Sequence, residues 1–120
     1  MIAGRVRAQG EPLALDLEVT ASMLDRLKGW MGRTPIAERD ALLIRPCNSV
    51  HTYFMREPID VVFLDRSDRV LAIHAGVRPG RLRGHWRASA ALELRAGRSA
   101  SLGLRRGDQL SIDSEERVHA

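Results

Sequence analysis

The chain has 120 residues, one cysteine and a formal net charge of +4. That length supports one domain with a core of its own, the lone Cys47 excludes an intrachain disulfide, and no stretch approaches the ~20 apolar residues of a membrane span. Residues 1–20 also lack the apolar run of a secretory signal, so the expectation is a soluble, cytoplasmic protein.

Residues 2–8 alternate loosely around Ile2, Val6 and Ala8, and 9–12 (QGEP) reads as a turn. Residues 13–19 alternate cleanly, with Leu13, Leu15, Leu17 and Val19 on one face. Period two predicts a half-buried strand, so the two runs predict an amino-terminal hairpin. The period then changes. Ser22 with Asp25 fits a helix start, and Met23, Leu24, Leu27, Trp30 and Met31 fall at helical spacing. This predicts the principal helix over about 22–31, stopped by Gly29 and Gly32, its Met/Trp stripe a packed face rather than a ligand site.

Residues 41–44 (ALLI) are a short apolar strand stopped by Pro46, and 50–55 read as another. Residues 59–64 are apolar on both parities except at Asp60, as expected of a central strand covered on both sides. The turn at 65–68 and the run 70–75 complete an expected three-strand meander over 50–75. Residues 76–84 (GVRPGRLRG) form a basic loop. Residues 90–94 are a strand with Leu92 and Leu94 on one face and Glu93 on the other. A short helix is expected near 98–102, stopped by Gly103. Gly107-Asp108 is a turn, 109–113 the last strand, and 114–120 a polar tail. The sum is a single mainly-β domain over 1–113, an antiparallel β-sandwich or partly closed barrel.

Four blocks carry a family resemblance: KGWMGR at 28–33, HTYFMREPIDVVFLD at 51–65, ALELRAG at 91–97 and GLRRGDQL at 103–110. In this order they resemble the domain-of-unknown-function 192 family of bacterial and archaeal proteins. The resemblance implies a mainly-β, sandwich- or barrel-like domain with one principal helix. It implies no activity. Many members have Trp-Met before the Pro-Asp segment, where this chain has Phe54-Met55.

The chemistry is left with several readings. His51, Tyr53, Met55 and Asp60, with Trp86, suggest a groove near the 50–65 hairpin that binds a small molecule or a peptide. This accessory, non-enzymatic role is the leading expectation, with no cofactor. His51 and Asp60, on neighbouring strands of the expected hairpin, would be the base and its partner in a hydrolase. Against this stands a turn-fixing role for Asp60, accepting backbone N–H groups of residues 56–59. His51, His74 and His85 with Asp60, Asp65 or Asp68 have no regular metal-ligand spacing, so no metal is assigned. Cys47 reads as a small, semi-buried residue rather than a nucleophile. Arg78, Arg81, Arg83 and Arg87 beside Trp86 are the best candidates for an anion clamp. Nearly all the positive charge is arginine, which suits phosphate. Five aromatic residues are too few for the usual base-stacking platform, so nucleic acid ranks third as a partner.

Overall fold

The computed structural model describes residues 1–22, Asp25 and 29–114. The helix expected over 22–31 falls largely on Met23, Leu24, Arg26, Leu27 and Lys28, which lie outside the described residues, as does the tail from 115 onward.

Ten strands follow the chain: β1 Ile2–Ala8, β2 Glu11–Pro12, β3 Asp16–Val19, β4 Asp40–Ile44, β5 Ser49–His51, β6 Ile59–Leu64, β7 Val70–Val77, β8 Leu82–Gly84, β9 Ala90–Arg95 and β10 Leu110–Ser114. A single helical turn, Arg98–Ser101, follows β9. Among the described residues the strands make one large sheet in the order β10-β1-β3-β4-β9-β6-β7, with β2 beside β1, and a separate ribbon of β5 and β8. All pairings are antiparallel except β3–β4, which is parallel. A parallel neighbour needs a long return, and residues 20–39 supply it.

The sheet curls until its two edges touch at one end. Arg69 bridges Gln109, the Val70 N–H donates to the Asp108 carbonyl at 2.8 Å, and the Leu110 N–H donates to the Asp68 carbonyl at 3.0 Å. The result is a half-barrel, the partly closed alternative of the expectation.

Three central strands are apolar at both parities because both of their faces are covered. Ala41, Leu43, Val62, Leu64, Leu92 and Leu94 face the interior of the curl with Val6, Leu17, Val70 and Leu110. Leu42, Ile44, Ile59, Val61, Phe63 and Ala91 face outward, under Trp30, Ile36, Val50 and Met55. Segments 29–36 and 47–55 thus lie as a second layer on the convex side of β4, β9 and β6.

The meander expected over 50–75 is corrected. β6 and β7 form a hairpin, but 49–51 leaves it and pairs with β8, Val50 opposite Arg83 and His51 opposite Leu82. The strand expected to run to residue 55 stops at His51, because the chain turns at Phe54, whose φ of 66° no extended strand permits. Thr52, 1% exposed, fastens this turn to the basic loop. Its hydroxyl donates to the Arg78 carbonyl at 2.6 Å and accepts the Arg81 N–H at 2.8 Å. No helix among the described residues is long and apolar enough to cross a membrane.

Candidate functional site

Asp60 and His51 do not meet. Asp60 lies on β6 with the parity of Val62 and Leu64, so it faces the interior of the curl. It is fully buried. Its Oδ1 accepts the N–H groups of Gly76 at 2.9 Å and Gly97 at 3.2 Å; its Oδ2 accepts the Ser99 N–H at 3.0 Å and the Ser99 hydroxyl at 2.6 Å. Two of these donors belong to glycines at positive φ, 59° at Gly76 and 90° at Gly97, where the left-handed backbone turns the amide toward the carboxylate. The expected donors at 56–59 are not the ones used. Asp60 instead ties the end of β7 and the helical turn Arg98–Ser101 to the central strand.

His51 stands on the other side of the sheet, exposed, with its ring stacked on Tyr53 at 5.3 Å between centroids. The catalytic pair expected of His51 and Asp60 is therefore split by the sheet itself. Trp86, 87% exposed, stands apart from the groove and lies under the Arg87 guanidinium at 5.8 Å. His51 and Met55 do share a concavity, whose other lining residues the sequence reading did not assign to a site. A cavity of about 50 Å³ is bounded by Gly29, Trp30, Met31, Ile44, Cys47, Ser49, Val50, His51, Met55 and Glu93.

Two polar groups in that lining have no hydrogen-bond partner. Glu93 is 3% exposed and Trp30 is 3% exposed, yet Glu93 Oε1 and Trp30 Nε1 are both without one. β9 lies between β4 and β6, and Glu93 is flanked by Leu42 on one side and Val61 on the other. Desolvation by these apolar neighbours pushes the Glu93 carboxyl up from 4.5 to about 8. A carboxyl group in this state is protonated at neutral pH, and its cost falls on the fold.

Cys47 is half-buried in the same wall, its thiol donating to the Ser49 carbonyl at 3.0 Å. Arg33 stands 5.5 Å from the centroid of the Trp30 ring and forms ion pairs with Glu18 and Asp40 rather than with Glu93. No group of three histidine, cysteine or acidic side chains gathers as a metal site among the described residues.

Three of the four candidate anion-binding arginines come together. Arg78, Arg81 and Arg83 line an open recess with His74, whereas Arg87 is turned to Trp86. Partial burial, then the charges of Arg83 and His85, push the His74 imidazole below its ordinary value.

The family model described as "Uncharacterized ACR", the domain-of-unknown-function 192 family, matches residues 4–112. The chain belongs to that family. No curated protein matches it. Two solved structures share the fold. One, a protein of unknown function from Novosphingobium aromaticivorans, has a TM-score of 0.78 at 22% identity, over 91% of this chain and 83% of that one. The other, from Sinorhizobium meliloti and described as a proposed transcription regulator, has a TM-score of 0.81 at 24% identity, over 91% and 92%. At these identities the likeness is one of fold alone.

Trp30 was set aside as part of a packed helix face, and Glu93 was missed for another reason. In the run 90–94, Glu93 reads as the polar face of a half-covered strand. The signal that would have corrected this is the strand's own composition. Ala91 shares its parity, and a lone glutamate in a strand apolar on both parities belongs in a two-sided core, where it must be explained.

Proposed function

We propose that this domain is a binding module whose pocket receives the end of a small molecule or of a peptide. Glu93 and Trp30 form its polar floor, Ile44, Val50 and Met55 its apolar wall, and His51 with Tyr53 its rim. The observation that carries this reading is the pair of orphaned polar atoms on one cavity. Buried polar groups are hydrogen-bonded in nearly all folded proteins, and an exception calls for an explanation; Arg98 Nε is a third such atom, away from this cavity, whereas Glu93 and Trp30 share one. A cavity of about 50 Å³ has room for roughly one or two water-sized groups, enough for a compact polar head. Exposed Tyr53 and Leu82 beside it offer further apolar contact to whatever carries that head.

The test is a fragment titration followed by the indole N–H resonance of Trp30, assigned with Trp30→Phe. Saturable shifts by small polar fragments, lost in Glu93→Gln, are the expected result. An indole resonance unmoved by any fragment overturns the reading. A hydrolase built on His51 and Asp60 has little support, since the two residues face opposite sides of the sheet.

A second reading, an anion site at Arg78, Arg81 and Arg83, is favoured by the three guanidinium side chains lining one recess with His74, whose value is lowered first by burial and then by the charges of Arg83 and His85. Binding to inorganic phosphate or an oligonucleotide that weakens steeply with salt is its expected signature.

A further inference from the structure

We infer that the pocket is a site for a primary ammonium group, with the Glu93 carboxylate as its counter-ion and the Trp30 ring as part of its wall. This rests on the binding reading above and names the chemistry of the ligand.

The argument is one of charge and size. Glu93 is the acidic group of the lining; Cys47 and His51 are its other titratable groups, both on the 47–51 segment. Residues 29–31, Ile44 and Met55 bring none. No arginine among the described residues forms an ion pair with Glu93; Arg33, the one beside Trp30, is committed to Glu18 and Asp40. A buried carboxylate is tolerated where an opposite charge joins it, and the cavity leaves the place of that charge open. Its volume admits an ammonium with a short alkyl stem and is tight for a guanidinium with its planar fork of donors. The apolar wall of Ile44, Val50 and Met55 accommodates the stem. An electron-rich indole beside the carboxylate favours a cation over a neutral group of equal size.

Binding would then be coupled to a proton. The empty site holds Glu93 as the neutral acid; the ammonium recruits the carboxylate; one proton leaves to solvent. Affinity therefore rises with pH until Glu93 is ionised in the empty protein, then levels.

The probes are n-propylamine, with 1-propanol and propionamide as neutral counterparts, each titrated into the whole chain from pH 6 to 9 and read from the Trp30 indole N–H. An alkylamine stays charged to about pH 10. The expected result is saturable binding of the amine only. Its association constant should grow about tenfold per unit up to pH 7.5 and flatten above pH 8, and Glu93→Gln should abolish it at every pH while still melting cooperatively. Binding of the alcohol or the amide in place of the amine, with affinity flat or falling above pH 8, overturns the ammonium site and leaves the pocket reading standing. No response to any of the three probes overturns both.

Discussion

Asp60 and Glu93 lie on paired strands one residue out of register, and so on opposite faces of the same sheet. Asp60 is opposite Leu94, and Glu93 is opposite Val61. Both carboxyl groups are buried in the centre of the molecule. One accepts four hydrogen bonds; the other has an oxygen with none. A single domain thus contains a carboxylate whose surroundings are complete and a carboxyl whose surroundings are not. The first is read as structure, the second as the place where function enters.

If Asp60 is a tie, removing it should unfold rather than inactivate. Asp60→Ala leaves the N–H and the hydroxyl of buried Ser99 without an acceptor, while the N–H groups of Gly76 and Gly97, on exposed residues, can turn to water. At ~1–3 kcal/mol for each buried unsatisfied group, the loss should be about 2 kcal/mol or more, read as a clear fall in the denaturant midpoint. Ser99→Ala removes one donor and should cost about 1 kcal/mol. An Asp60→Ala chain that melts like the parent would show that the carboxylate does not hold the helical turn to β6.

Phe54 carries strain in plain view. Its φ is 66°, its side chain is 79% exposed, and its carbonyl accepts the Gly32 N–H at 3.0 Å. The left-handed conformation costs a non-glycine residue ~1–2 kcal/mol, and glycine gives back part of that gain in the unfolded chain. Phe54→Gly should therefore raise stability by roughly 0.5–1 kcal/mol, seen as a melting point higher by a few degrees. A lower melting point would mean that the exposed ring packs on the fold after all.

His74 gives an independent reading of the arginine recess. Burial is the larger cause of its lowered value and Arg83 the next. In Arg83→Ala the imidazole should titrate at higher pH than in the parent, yet still below an exposed histidine, because burial against Phe63, whose ring meets it edge-on at 5.5 Å, persists. Inorganic phosphate added to the parent should move it in the same upward direction. A His74 resonance indifferent to both changes would remove the recess as a centre of positive potential.

Much of the fold was legible because its central strands advertise themselves. Runs 41–44 and 59–64 read as lacking a polar face, which marks strands covered on both sides, while 90–94 read as half-covered because of Glu93. The helical turn after β9 was legible from Gly97 and Gly103. The β5–β8 pairing was not. Strand partners distant in sequence leave no local trace, and the turn at Phe54 is made by a residue whose type gives no hint of a positive φ. The site was half legible. His51 and Met55 stood out as polar and soft residues beside an apolar run, while the carboxyl that they surround, Glu93, looked like an ordinary outward-facing residue.

The state of that carboxyl should govern how stability depends on pH. Below about 4.5 Glu93 is protonated whether the chain is folded or not, and it adds no slope. Between 4.5 and about 8 the folded chain keeps a proton that the unfolded chain has released, so stability falls as pH rises. Above 8 both states are ionised and the slope ends. Integrated over that window the loss is on the order of 5 kcal/mol. Glu93→Gln cannot titrate, so denaturant midpoints of the two proteins should converge in acid and separate as pH rises, the variant becoming the more stable by pH 8. Every other group contributes equally to both curves, which leaves their difference to Glu93 alone. Parallel curves from pH 4 to 9 would mean that Glu93 ionises as it does in water, and that the floor of the pocket is solvated rather than waiting for a charge.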